Sequence, residues 1–148
     1  MGDDDGAARV ILMVDDDEED VYLTRRAFGA RGKGDAFRHV SDGENLFAYL
    51  ENLDDYADRR ANPRPCLILM DINMPRENGF ELLRRLRGNA ALATIPVVML
   101  STSTADTDIE KAYRLGANSF IGKPASGDAM RDVARHIDEF WFRTARMP

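Results

Sequence analysis

Three short runs of consecutive apolar residues punctuate the chain: Arg9-Val-Ile-Leu-Met-Val14, Cys66-Leu-Ile-Leu-Met70 and Ile95-Pro-Val-Val-Met-Leu100. Each stops at a polar residue, Asp15, Asp71 and Ser101 respectively. Apolar runs of this length without alternation predict strands buried on both faces, as in a parallel sheet. Phe37 to Val40 and Ser119 to Ile121 are weaker strand signals. Helical patterns lie between the runs. Glu18 to Phe28 opens on acids and closes on Arg25 and Arg26, which matches the helix dipole. Ser41-Asp-Gly-Glu44 reads as a capping box before Leu46, Leu50 and Leu53 at helical spacing. Phe80 to Leu86 carries Leu82, Leu83 and Leu86, with Gly88 as a stop. Asp106 to Leu115 puts Ile109, Ala112 and Tyr113 on one face, with Gly116 closing the helix. Asp128 to Phe142 carries Met130, Val133, Ile137 and Trp141 on one stripe.

The order predicts five βα units: an α/β, doubly wound, parallel five-stranded (βα)5 sheet of flavodoxin-like architecture, with right-handed crossovers and helices on both faces. Residues 9–142 form this domain in the sequence reading. Residues 1–8 read as an acidic mobile tail and residues 143–148 as a C-terminal tail. Asn52 to Pro65, with Pro63 and Pro65, reads as a loop or an extended helix end. No internal repeat or low-complexity tract interrupts the pattern.

Composition narrows the function. A chain of 148 residues fits one domain. Its 44% hydrophobic and 31% charged residues match a folded, soluble protein. A net charge of −6 argues against direct nucleic-acid binding, which draws its affinity from Lys and Arg on phosphates. No apolar run reaches the roughly 20 residues of a membrane span, and Met1-Gly-Asp-Asp-Asp5 opposes the basic start of a secretory signal. One cysteine, Cys66, excludes an internal disulfide and a multi-Cys zinc site. A cytoplasmic, reducing compartment is the expectation.

In an open parallel sheet, ligands bind at the carboxyl ends of the strands. The residues after the runs are therefore the candidates: Asp15, Asp16 and Asp17; Asp71; Ser101 and Thr102; Gly122, Lys123 and Pro124. Carboxylates gathered at one edge repel unless a cation neutralises them. Oxygen-only ligands suit a hard ion such as Mg2+. Lysine is scarce, Lys33, Lys111 and Lys123 being the only three among 20 basic residues, so Lys123 reads as a selected point charge. Metal, carboxylate, hydroxyl and ammonium are the parts of a phosphoryl-transfer site in which a carboxylate is the nucleophile.

These motifs resemble the receiver domain of two-component response regulators, in its CheY-like stand-alone form: Val14-Asp15-Asp16, Met70-Asp71-Ile72-Asn73-Met74-Pro75, Gly79, Ser101 and Phe120-Ile-Gly-Lys123-Pro124, in order over about residues 9 to 142. The resemblance implies that Asp71 accepts a phosphoryl group from a sensor histidine kinase. It implies that Asp16 and Asp71 hold Mg2+ through carboxylates, Asn73 through its backbone carbonyl and Asp15 through water. Ser101 then swings toward the phosphoryl group, Phe120 follows as the aromatic switch, Lys123 pairs with the phosphoryl group, and the Lys123-Pro124 bond is cis. Such a domain assists its own phosphorylation and dephosphorylation and is not a multiple-turnover enzyme. Asp17 would replace Asp16 if the first strand ended one residue later, and Thr102, Ser103 and Thr104 offer further hydroxyls beside Ser101.

A narrower likeness lies at Ile137-Asp-Glu-Phe-Trp-Phe142, Ser101-Thr-Ser103 and the long segment before the third strand, which are similar to the small regulators of bacterial and cyanobacterial phytochromes. It points to a bacteriophytochrome-type kinase as phosphodonor. Phe140, Trp141 and Phe142 run past the cover of the sheet and are read as a homodimer or partner interface. With no effector segment after residue 148, output is expected through an unknown downstream protein target or through passage of the phosphoryl group onward.

Competing readings are weaker. Asp17 to Asp20 reads as a solvated helix start. Gly116 to Lys123 is one residue too long for a P-loop and has Pro124 where a metal-binding hydroxyl belongs. Asp71-Ile-Asn73 lacks the second acid of an aspartyl-phosphate phosphatase. His39 and His136 lack metal-ligand spacing and read as surface or helix residues, and Cys66 as a packing residue. A docking module without phosphorylation and a metal-dependent hydrolase remain as other functional classes.

Overall fold

The computed structural model describes residues 9–148; the tail expected over residues 1–8 lies outside the described residues. Five strands form one parallel sheet: β1 (Ile11–Val14), β2 (Phe37–Val40), β3 (Leu67–Met70), β4 (Val97–Ser101) and β5 (Ser119–Gly122). They lie in the order β2-β1-β3-β4-β5, with β1 paired in register to both β2 and β3. The helices are α1 (Glu18–Gly29), α2 (Gly43–Leu50), α3 (Gly79–Gly88), α4 (Asp106–Arg114) and α5 (Gly127–Ile137), followed by a π-helical segment, Asp138–Thr144.

Side chains alternate across each strand, and the sheet uses both faces. Leu12, Val14, Ile68, Met70, Val97 and Met99 build one core with Leu46, Leu82 and Leu83 of α2 and α3 and Ala112 of α4. Ile11, Met13, Leu67, Leu69, Val98 and Leu100 build the other with Val21 and Phe28 of α1 and Met130 and Ile137 of α5. Burial on both sides explains why β1, β3 and β4 are continuous apolar runs. Edge strand β5 is only half-buried, which is why its signal was faint.

Local chemistry moves several boundaries. Asp42, not Ser41, caps α2, its carboxylate accepting from Asn45 N. The helix stops at Leu50, so Leu53 lies outside it and is exposed. Gly88 is the last residue of α3, and Asn89 caps it. Gly116 has φ +108° after α4, the left-handed conformation glycine permits. Between Asn52 and Pro65 the chain makes a 3-10 turn, Asp54–Tyr56, held by Asn52 Nδ2 donating to the carbonyls of Tyr56 and Asn62.

The C-terminal helix also departs from the 3.6-residue pattern. Beyond Ile137 it widens to i+5 bonding, with Ala145 N donating to Phe140 O at 2.6 Å. Trp141 and Phe142 of this segment pack on the core beside α1 and α5, so both are half-buried. Of the three aromatics expected at the surface, Phe140 alone is exposed, at 52%. Asp138 is fully buried and held by Arg31 at 2.9 Å, Arg143 at 3.3 Å and Lys33 at 3.9 Å.

Candidate phosphoryl-transfer site

The first loop is fixed before any ligand arrives. Asp15 N donates to Val40 O at 3.2 Å, and Asp17 N donates to Asp15 Oδ1 at 2.9 Å. Asp15 is fully buried, whereas Asp16 points to solvent. Asp17 serves as the N-cap of α1, accepting from Glu19 N and Asp20 N. Its side chain is thus occupied by the helix, which leaves Asp16 to face the cleft. His39 Nε2 donates to the Asp15 carbonyl at 2.7 Å from β2. His39, which the sequence reads as a surface or helix residue, is half-buried on this strand.

Asp71 extends β3. Its N–H donates to Val14 O at 3.0 Å, and its Oδ1 accepts from Ile72 N at 2.9 Å. Gly79, the first residue of α3, presses on this loop: a Cβ there would collide with the Asp71 carbonyl oxygen. The motif therefore needs glycine at 79 for close backbone approach. Ser101 ends β4, fully buried, with its Oγ accepting from Ser103 N at 3.2 Å. Lys123 follows β5, its N–H donating to Ser101 O at 2.8 Å.

These ends converge. Asp15, Asp16 and Asp71 each present an oxygen, all within 4.8 Å of one another. Lys123 Nζ lies 2.7 Å from Asp15 Oδ2, 2.7 Å from Asp20 Oδ2 and 3.4 Å from Asp71 Oδ1. Asp16, Asp17, Asp20, Asp71, Asn73, Thr102 and Lys123 line one cleft of about 410 Å³. Burial, then the charge of Asp15, raises the Asp71 pKa to about 6 against the pull of Lys123. Burial likewise raises Asp15. For Lys123, burial alone would lower the pKa, but its bonds to Asp15 and Asp20 outweigh it and hold the ammonium charged. One ammonium facing this many carboxylates leaves net negative charge in a half-buried cleft. That donor set, all oxygen and under-neutralised, fits a hard divalent cation.

Most of the expected residues meet here: Asp16, Asp71, Asn73 and Lys123 line the cleft, and Asp15 is buried against Asp16 and Asp71; Ser101 is fully buried at the end of β4, and its neighbour Thr102 lines the cleft. Phe120 does not. It sits on β5, half-buried against the α4 side of the core, and its N–H donates to Tyr113 Oη at 3.1 Å. One expectation is corrected: among the described residues every peptide bond is trans, Lys123-Pro124 included. Trans is favoured by about 0.5–1 kcal/mol for an X–Pro bond, and Lys123 reaches its acids in that form. Asp20 was missed, because its partner lies 103 residues away.

Comparison with known proteins agrees with this geometry. The response regulator receiver domain profile matches residues 11–135. Response regulator Rcp1 of Synechocystis sp. is 33% identical over 109 residues, 74% of this chain and 72% of that protein. The phosphorylated cyanobacterial phytochrome response regulator RcpA superposes with a TM-score of 0.86 at 35% identity, covering 96% of this chain and 99% of that one. A response regulator in red light signaling of R. palustris gives 0.88 at 32% identity, covering 95% and 98%. A manganese-bound form of response regulator Rcp1 gives 0.78 at 30%, covering 95% and 99%. With its five-stranded parallel sheet, its acidic cluster and these relatives, the chain belongs to the response regulator receiver domain family and is related to phytochrome response regulators.

Proposed function

We propose that this protein is a phosphorylation-controlled switch that takes a phosphoryl group from a sensor histidine kinase onto Asp71. The observation that carries the reading is the Lys123 ammonium 3.4 Å from Asp71 Oδ1, inside a cleft where three carboxylates share a 4.8 Å span. An Asp71 oxygen attacks phosphorus, the P–N bond to the donor imidazole breaks, and the imidazole takes a proton as it leaves. Lys123 offsets charge on the phosphoryl oxygens. Asp15, Asp16, Asp71 and the Asn73 carbonyl would hold Mg2+, which supplies further charge neutralisation there when bound. The manganese-bound relative supports a divalent ion at this kind of site.

Ser101 Oγ then leaves Ser103 N for the phosphoryl group, Phe120 moves inward, and the face of α4, β5 and α5 shifts population toward a partner-binding form. Likeness to RcpA and to the R. palustris regulator supports a phytochrome-type kinase as donor. Homodimerisation through the face bearing Phe140 and Trp141, near Phe142, and a downstream protein target belong to the same proposal.

Incubation with Mg2+ and a small acyl phosphate should add one acid-stable, base-labile phosphoryl group by intact mass. The label should vanish in Asp71→Asn. Sedimentation of the same samples, with a Phe140→Ala, Trp141→Ala variant, tests the dimer: a mass unchanged by the variant would remove that face from the proposal. Failure of wild type to take either the label or beryllofluoride would overturn the switch, leaving a docking module. Steady phosphate release over many turnovers would point to a hydrolase instead.

A further inference from the structure

Lys123 has nearer partners than the acceptor. Its side chain is 4% exposed, and its two shortest ion pairs go to Asp15 and Asp20, each at 2.7 Å, against 3.4 Å to Asp71. Asp15 is fully buried and held at both its N–H and its carboxylate, so it has no other place to go. Asp20 differs. It stands in the first turn of α1, with its N–H on Asp17 Oδ1 and its carbonyl accepting from Thr24 Oγ1. The backbone is fixed, while the carboxylate lies at the rim of the cleft, 25% exposed. Glu18 and Glu19 share that turn and are exposed. An acid in a first turn is already favoured by the helix dipole, so the reach of Asp20 across to Lys123 is a separate feature of the site.

An ammonium offers three donors, and here three carboxylates surround it, with the Asp20 contact having hydrogen-bond geometry. A phosphoryl group on Asp71 must draw Lys123 away from one of them, and the rim carboxylate is the one that water can re-solvate. We propose that Asp20 is a positioning residue for phosphoryl transfer, a resting counter-ion that holds Lys123 in place and competes with the Asp71-bound phosphoryl group for it. This rests on the reading of Asp71 as acceptor. Asp20 then weakens the hold on the acyl phosphate and eases the return to the resting state. No bond to Asp20 is made or broken beyond its ion pair.

The test is the affinity for beryllofluoride at saturating Mg2+, measured by calorimetry, alongside the affinity for Mg2+ alone. Asp20→Asn and Asp20→Ser remove the charge, and Asp20→Glu keeps it. The neutral variants should bind beryllofluoride about tenfold more tightly, within the usual range for coupling between sites. They should bind Mg2+ about two- to threefold more weakly, because a nearby negative charge is gone. Asp20→Glu should stay near wild type. A purely structural role would weaken both ligands together. Unchanged or weaker beryllofluoride binding in a neutral variant with an intact near-UV spectrum overturns the inference, as does Asp20→Glu behaving like Asp20→Asn. Absence of binding by wild type would instead overturn the acceptor reading, so the two failures are distinct.

Discussion

Two buried ion clusters sit at opposite ends of α1, and their charge ratios are inverted. At the start of the helix one ammonium, Lys123, meets Asp15, Asp20 and Asp71. At its end one carboxylate, Asp138, meets Arg31, Lys33 and Arg143. The second cluster locks structure. Its single acid is fully buried, and its three cations keep 23% to 63% of their side chains in solvent, where excess charge is cheaply hydrated. The first cluster carries its excess inward, among carboxylates that burial and mutual repulsion press toward protonation. A site poised for ligand is the one whose surplus charge sits on buried carboxylates, Asp15 and Asp71, with Asp20 alone of the three at the rim.

Removal of the central group separates the two most strongly. Asp138→Ala should cost about 3 kcal/mol, the low end for breaking a buried pair, since the stranded cations can rehydrate. In thermal unfolding that is a fall of about 6–12 °C for a domain of this size. It should also loosen the π-helical segment, exposing Trp141 and red-shifting its emission. A loss below about 1 kcal/mol would mean that the aromatic packing holds this segment without the clamp.

Neutralising one of the acids around Lys123 should act in the opposite sense. Asp71 has an ordinary pKa of 3.8 and a folded value of about 6. The folded state therefore holds its proton more tightly than the unfolded chain. Stability from this group is fully present below pH 3.8 and is lost as pH rises to about 6. Without metal, Asp71→Asn removes that penalty and should stabilise the protein at pH 7 by about 2 kcal/mol, less than the full shift because Asp15 titrates with it. The gain should shrink toward zero near pH 4. Urea unfolding at both pH values checks it; a destabilised Asp71→Asn at pH 7 would show that the Lys123 pair outweighs the repulsion.

What the sequence disclosed follows the range of the forces involved. The strands β1, β3 and β4 are buried on both faces, so burial alone writes them as apolar runs. The acids and Lys123 are legible because parallel topology brings every strand end to one edge. Asp20 and Asp138 were not legible. Each looks like an ordinary charged residue on a helix, and what distinguishes it is a partner 103 or 107 residues away. Trp141 was legible as part of the stripe with Met130, Val133 and Ile137, and it packs with them; the change of helical pitch after Ile137 was not legible, because no residue type marks it. Asp42 displaced Ser41 as a cap through a shift of one residue, below what capping patterns resolve.

The smallest expected effect is the most discriminating. Mg2+ at ten times its dissociation constant should stabilise wild type by about 1.4 kcal/mol, from binding the folded state alone. Asp71→Asn should lose most of that increment, because the acidic cluster then lacks one of its three carboxylates. Asp138→Ala should keep it in full. Asp20 and Gly29, at the two ends of α1, are about 14 Å apart at 1.5 Å per residue, and energies at such separation add. If Mg2+ rescued Asp138→Ala by more than it stabilises wild type, the two clusters would be coupled through α1. That helix would then carry the state of the cleft to the C-terminal aromatics, and the division between a poised end and a locked end would fail.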